Sequence, residues 1–313
     1  MKTLLTASIE AAAEIIRSGG LVAFPTETVY GLGANAFDDA AVRKIFAAKG
    51  RPADNPLIVH IADIKQIDEL VLELNDQAKS FIAKFFPGAL TIVARRSGKA
   101  AASATAGLST VAFRMPANEI ARELIERSGV PLVAPSANIS GRPSPTTWQA
   151  VYEDLNGRID CILKGEPTAI GLESTVVDCT GDVPRLLRPG AISLDELRSI
   201  VPSTQSSETH DGGEIRSPGL KHKHYSPKAK VVLIGTTEID LDLKGAYIGI
   251  NEPVNEFAFS KIVSDSSEYA RVIFEFFREC DRRGIGLIYC EAVEPVGIGT
   301  ALMDRIDRSR NSE

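Results

Sequence analysis

A three-layer α/β domain with a mixed sheet, followed by a smaller α/β unit, is the fold class this sequence predicts. Three observations carry that reading. Short apolar runs of strand length alternate with segments of helical period along most of the chain. Residues 204–229, TQSSETHDGGEIRSPGLKHKHYSPKA, have almost no aliphatic periodicity and are built mainly from Ser, Thr, Gly, Pro and His, the composition of a linker. The length, 313 residues, suits two domains of ordinary size. The predicted organisation is therefore a large domain over 1–203, a linker over 204–229 and a small domain over 230–313.

Each element follows from local chemistry. Apolar residues at helical spacing predict a helix over 8–18, stopped by Gly19-Gly20, and LVAF (21–24) predicts a strand. Asp38 is a candidate N-cap for DDAAVRKIFAAKG, with Gly50 as its C-cap. LIVHI (57–61), LTIVA (90–94), TVAFR (110–114), PLVA (131–134), TVVD (175–178) and PRLLR (184–188) predict strands, separated by helical patterns near 63–72, 75–85, 117–128 and 146–155. Strands of both directions and covering helices imply a mixed sheet with helices on its faces. The tail alternates KVVLIG (230–235), a strand near 245–250, an amphipathic helix near 267–283, GLIYC (286–290) and a final helix near 299–308, as in a small doubly wound unit.

Composition narrows the function. Hydrophobic residues are 44% and charged residues 24%, so a globular core is expected. Lys and Arg number 35 against 41 Asp and Glu, a net charge of −6. That balance argues against a protein that coats nucleic acid or an anionic membrane, while leaving room for a local basic pocket. Glu10 and Glu14 interrupt the first apolar stretch, no signal-peptide core is visible, and no run of about 18 apolar residues occurs, so a cytoplasmic location is expected. Cys161, Cys179, Cys280 and Cys290 form no CxxC and do not combine with the four histidines at zinc-ligand spacing, which predicts free thiols and no metal site.

Five segments could carry chemistry. PTETVYGLGANA (25–36) contains a GxGxxA match at Gly31–Ala36. Six residues separate it from the preceding strand, and no acidic residue ends a second strand, so a Gly-rich turn beside a polar wall of Thr26, Glu27, Thr28 and Tyr30 reads better than a dinucleotide loop. KGRPADNPL (49–57) places Lys49 and Arg51 at a helix C-cap, where basic residues often only partner the dipole. Pro52 and Pro56 stiffen the loop, and Asn55 adds a polar group, so it also suits a phosphate clamp. No GxxxxGK[ST] occurs, so such a clamp is not a P-loop. APSANISGRPSPT (134–146) leaves backbone N–H groups open to a ligand, or is a plain loop. GLESTVVD (171–178) precedes RLLRPG (185–190). RSPGLKHKHYSP (216–227) is too basic and aromatic for an inert tether, and its spaced prolines suit a lid. His60 is the only histidine before the linker, and no Ser-His-Asp or Cys-His set is apparent, so a protein nucleophile is poorly supported.

Taken together and in this order, Lys49-Gly50-Arg51, Ser136-Ala137-Asn138, PTETVYGLG, NPL, STVVD, the RPG after a strand and SPGLKHKHYSP resemble the threonylcarbamoyl-AMP synthase family in its long two-domain form. The resemblance runs from about Ser8 to Arg310. Leu220 and His222 depart from the family's linker pattern, and GIGTALMDRIDRS (297–309) matches only loosely.

The resemblance implies a YrdC-like α/β domain with a basic cavity and a small Rossmann-like domain. It implies a nucleotidyltransferase that joins L-threonine, bicarbonate or CO2, and ATP into L-threonylcarbamoyl-AMP and pyrophosphate. The adenylate then passes to a separate tRNA threonylcarbamoyl-transfer complex. By the same resemblance Lys49, Arg51, Ser136 and Asn138 form the catalytic set. Lys49, Arg51 and Arg188 face the triphosphate, with Mg2+ carried by ATP. Asn55, Thr110, Ser136, Asn138 and Ser144 hydrogen-bond the nucleotide, and Tyr225 reaches it from the linker. Thr28, His60, Arg114 and Ser174 form the threonine pocket, closed by the backbone at Ala134, with Arg114 on the carboxylate. Two other readings remain at this stage: an RNA-binding module with a basic cavity, and another nucleotide-dependent carbamoyl-transfer enzyme.

Overall fold

The computed structural model describes residues 2–206, 225–235, 244–253 and 255–310. Eleven strands frame the large unit: β1 (Leu4–Thr6), β2 (Val22–Phe24), β3 (Gly31–Asn35), β4 (Ile58–His60), β5 (Leu90–Arg95), β6 (Thr110–Arg114), β7 (Leu132–Val133), β8 (Cys161–Leu163), β9 (Thr175–Asp178), β10 (Arg185–Arg188) and β11 (Gln205–Ser206). They lie in the order β1-β8-β2-β3-β7-β4-β6-β5-β9-β10-β11. The sheet is mixed: β4/β6 and β5/β9 run parallel, whereas β2/β3, β4/β7 and β5/β6 run antiparallel.

Period-two alternation divides the core between the two faces. Val22, Phe24, Leu132, Cys161 and Leu163 meet α1 (Ile9–Arg17) and α5 (Glu119–Ser128). Ala23, Val133 and Ile162 meet the opposite layer, which holds α2 (Asp39–Lys49), α4 (Asp76–Phe85), α6 (Trp148–Leu155) and α7 (Leu194–Ile200). The three expected layers are present. Asp38 caps α2 by accepting from the Ala40 and Ala41 amides, and Gly50 ends it in the left-handed region at φ 61°. The helix expected near 63–72 shortens to α3 (Ile67–Leu70) preceded by one 3₁₀ turn.

One expectation is corrected. Gly31 and Gly33 lie in β3, paired antiparallel with β2, and not in a turn. They are small for a packing reason: a Cβ on Gly33 would stand 2.8 Å from Phe24 Cε1, and one on Gly31 3.1 Å from Ala134 Cβ.

The small unit is a parallel sheet in the order β12-β15-β13-β14, from β12 (Lys230–Ile234), β13 (Ala246–Gly249), β14 (Phe259–Ile262) and β15 (Leu287–Glu291). Helices α8 (Ser266–Arg282) and α9 (Ile298–Arg310) share one apolar cluster with Val231, Ile248 and Ile288 of this sheet. Val29 and Leu172 of the large unit, and Tyr225, belong to the same cluster, so the two units are joined by a common core. Two buried arginines cross the junction. Arg278 of α8 donates to Asp154 Oδ2 at 2.9 Å and to the Pro143 carbonyl at 2.6 Å, and Arg305 of α9 donates to Glu173 Oε2 at 2.9 Å.

Candidate active site

The junction holds a partly open pocket of about 60 Å³. Its wall gathers segments far apart in the chain. Thr26, Thr28 and Val29 come from the loop after β2, Arg51 from the stiff loop after α2, and Ile58 and His60 from one face of β4. Register pairs His60 with Arg114, the last residue of β6. Ala134, Pro135 and Ser136 follow β7, Glu173 and Ser174 precede β9, Arg188 ends β10, and Tyr225 enters from the linker.

Arg114 is buried and its fork is pinned. Nε donates to the Gly88 carbonyl at 3.1 Å, Nη1 donates to Thr28 Oγ1 at 2.8 Å, and Nη2 lies 2.6 Å from Glu27 Oε1. The Glu27 contact is a close ion pair whose angles are not those of a hydrogen bond. Burial pushes the Glu27 carboxyl up, but Arg114 together with backbone amides, that of Ala117 first, holds the group below its ordinary value. Beside them Ser174 Oγ shares a 2.8 Å hydrogen bond with Thr91 Oγ1. Thr28, His60, Arg114, Ala134 and Ser174 are thus brought together as expected.

The other half holds Arg51, Ser136, Arg188 and Tyr225. Burial lowers Arg51 to about 10, and its Nε and both amide atoms of the fully buried Asn55 have no hydrogen-bond partner. Arg188 donates from Nε and Nη2 to the Ser174 carbonyl at 3.1 and 2.9 Å. Tyr225, at φ 67° in the left-handed region, stacks on Phe274 with centroids 5.3 Å apart. A non-glycine residue held there is backbone strain of the kind that gathers at sites. Of the proposed lid, residues 216–224 lie outside the described residues.

Several expected residues are placed elsewhere. Lys49 does not line the cavity; its ammonium donates to the Ser136 carbonyl at 2.5 Å, the Asn138 carbonyl at 2.6 Å and Asn138 Oδ1 at 3.4 Å. The expectation that it meets phosphate is corrected: its donors are turned onto the Ser-x-Asn loop, and burial first, then Arg51, pushes the group well below its ordinary value. Asn138 is spent in the same way, accepting from Ser136 Oγ at 2.6 Å and donating to the Ile139 and Arg142 carbonyls. Ser144 is buried against Glu173, to which its hydroxyl donates at 2.5 Å, and Asn55 stands outside the lining set. Thr110 opens β6. It shares the face of Arg114 but lies about 13 Å along the strand from it, in a separate groove with Arg95, Arg96 and Thr180.

Sequence reasoning missed the carboxylate Glu173 in the cavity wall, and it gave Glu27 a place in a polar wall without its pairing to Arg114. The available signal was a lone acid inside two motifs of small and hydroxyl residues. Their partners, Arg305 and Arg114, stand 132 and 87 positions away.

His60 is buried, and its Nδ1 lies 3.2 Å from the Ile58 carbonyl, which places the proton on Nδ1 and leaves Nε2 as an acceptor. Burial first, then Arg114, lowers its pKa to about 3. A folded value below the unfolded one favours the neutral ring. Its stabilising contribution is therefore full above about pH 6.5 and is lost as pH falls from there toward 3. We expect the His60 ring signal in NMR to show no titration between about pH 5 and 8. A midpoint near the ordinary histidine value would contradict this environment.

With these features in place, the chain was compared with known proteins. Residues 14–190 match the family model Sua5_yciO_yrdC, described as telomere recombination, and residues 192–310 match Sua5_C, the threonylcarbamoyl-AMP synthase C-terminal domain. The chain is 43% identical to the threonylcarbamoyl-AMP synthase of Pyrococcus abyssi, covering 96% of this chain and 93% of that one. It is 41% identical to that of Bacillus subtilis, covering 95% and 91%. Among solved structures, P. abyssi Sua5 complexed with L-threonine superimposes with a TM-score of 0.89 at 42% identity, over 96% of this chain and 94% of that one.

Proposed function

The chain belongs to the threonylcarbamoyl-AMP synthase family in its long two-domain form, and from that premise we propose that its cavity joins L-threonine, bicarbonate or CO2, and ATP into L-threonylcarbamoyl-AMP and pyrophosphate. The observation that carries this reading is the charge of the cavity. Two buried arginines, Arg114 and Arg188, and the half-buried Arg51 converge on one pocket, with no cysteine or activated serine among the described residues of its wall. Such a site works by holding anions and positioning reactants.

Arg114, pre-oriented by Glu27 and Thr28, pairs with the threonine carboxylate, while His60 and Ser174 offer hydrogen bonds to its polar groups. The amine attacks the carbon of CO2 and loses a proton, giving a carbamate. A carbamate oxygen then displaces pyrophosphate from the α-phosphorus of ATP, with no enzyme-bound covalent intermediate. Arg51 and Arg188 neutralise the phosphates, and Ser136 and Tyr225 line the nucleotide side. Lys49 and Asn138 act by shaping the loop that carries Ser136.

Glu173, the carboxylate of the cavity wall, is already engaged by Arg305 and Ser144, and no group of three or more metal-ligating side chains occurs among the described residues. The residues present do not build a metal site, so Mg2+ enters as the counterion of the ATP substrate. The adenylate is passed on to a tRNA threonylcarbamoyl-transfer complex. No helix among the described residues is long and apolar enough to cross a membrane. An RNA-binding use of the cavity is disfavoured because Arg114 and Arg188 are buried in the pocket and not spread over a face.

The test is pyrophosphate release from ATP, expected only when threonine and bicarbonate are both supplied. Selectivity is a second readout. We expect L-threonine to bind at least about 100-fold more tightly than L-valine, because valine leaves buried polar groups of the pocket unpaired. Equal affinities in calorimetry would remove Thr28, His60 and Ser174 from the threonine pocket.

A further inference from the structure

Glu173 is out of place in a cavity that receives a triphosphate. It lines the same wall as Arg51 and Arg188, and a bare carboxylate there would repel phosphate and compete for the arginines. Burial pushes its carboxyl up, but Arg305 and Arg188 outweigh burial and hold it below the ordinary value, so it stays anionic.

The small unit supplies the compensation. Arg305, 1% exposed, reaches across from α9. Its Nε donates to Glu173 Oε2 at 2.9 Å and its Nη2 to the Pro189 carbonyl at 2.9 Å, while Nη1 pairs with the neighbouring Asp304. Its guanidinium carbon lies 5.3 Å from the centroid of the Tyr225 ring. Pro189 follows Arg188, which is itself bonded to the Ser174 carbonyl, and Ser174 follows Glu173. One side chain therefore touches the cavity's carboxylate, the backbone next to its arginine and the aromatic ring at its edge.

We infer that Arg305 is a positioning residue for the nucleotide half of the cavity, neutralising Glu173 and fixing the Arg188–Pro189 backbone so that ATP meets net positive charge. The inference rests on the functional reading above and assigns the small unit a direct part in nucleotide binding, without contact to the substrate.

The experiment is calorimetric titration of the full chain with Mg-ATP, and separately with L-threonine. Arg305→Leu leaves a buried carboxylate uncompensated. It is expected to weaken ATP about 10-fold or more while changing threonine affinity less than about 3-fold. Arg305→Leu combined with Glu173→Gln removes the stranded charge and is expected to recover most of that loss. Arg305→Lys keeps the charge without the fork that holds the Pro189 carbonyl and is expected to lie between the parent and Arg305→Leu; one as weak as Arg305→Leu would overturn the charge argument. An unchanged ATP affinity in Arg305→Leu would overturn the inference. So would a double variant as weak as the single one, which would make Arg305 a plain staple between the units. Should Arg305→Leu alone fail to fold, the double variant decides: one that folds and binds ATP supports the charge argument, and one that also fails to fold overturns it. A parent chain that binds threonine but no ATP would sink the functional reading itself, and this inference with it.

Discussion

Lys49→Ala is expected to destabilise the protein by roughly 3–5 kcal/mol and to abolish turnover, because it strands buried acceptors and opens a void. The buried Asn138 carbonyl and the half-buried Ser136 carbonyl would lose this donor, and Asn138 Oδ1 would keep only Ser136 Oγ. The Ser-x-Asn loop would then lose the bond that ties it to α2. Arg51→Ala should behave differently, although it lies only two positions away. Among the described residues its guanidinium makes one long hydrogen bond, 3.5 Å from Nη2 to the Pro56 carbonyl, and supports no other segment. The expected result is near-parental stability with ATP binding weaker by roughly 10- to 100-fold, the worth of one charge-assisted phosphate contact. Urea denaturation and ATP titration of the two variants side by side check this. A Lys49→Ala protein with parental stability and only a raised KM for ATP would return Lys49 to the phosphate clamp.

Truncation after Val201 is the other change of large expected effect. The large unit has its own extended core on both sheet faces, so the fragment is expected to keep its secondary structure and to melt cooperatively. It loses Tyr225, Arg278 and Arg305 together. Glu173 is left facing the cavity without its guanidinium, Asp154 keeps only Arg142, and Val29 and Leu172 lose their apolar cover. Breaking a buried ion pair by removing one partner costs about 3–5 kcal/mol, so threonine-dependent pyrophosphate release should fall roughly 100-fold or more. Loss of the segment bearing Tyr225 should also let water reach the adenylate, seen as carbamate hydrolysis in excess of retained product. A fragment that makes and keeps the adenylate as well as the full chain would show that the linker and small unit are only appended.

Much of this was legible in the amino-acid order. The caps Asp38 and Gly50, and the strands carrying His60, Arg114 and Arg188, follow from side-chain period and turn chemistry, which act over a few residues. The resemblance of these motifs to the family, and not side-chain period, assigned Thr28, Arg51, His60, Arg114, Ser136, Ser174, Arg188 and Tyr225 to one site, and the structure places them along one pocket wall. What the sequence by itself could not determine is how each polar group is satisfied. Lys49 and Arg51 are basic residues two positions apart at the end of α2, yet only the packing of residues 136–138 against α2 decided that Lys49 is buried and saturated while Arg51 opens to the cavity. Gly31 and Gly33 read as a turn until the Phe24 ring, brought across them by strand pairing, showed that they are small to make room for it. Glu173 reads as one acid among hydroxyls until the fold brings Arg305 to it from the far end of the chain. The physical reason is common to all three. Local propensity acts between neighbours along the chain, whereas burial and charge compensation are settled between segments that meet only when the sheet and the two units close on each other.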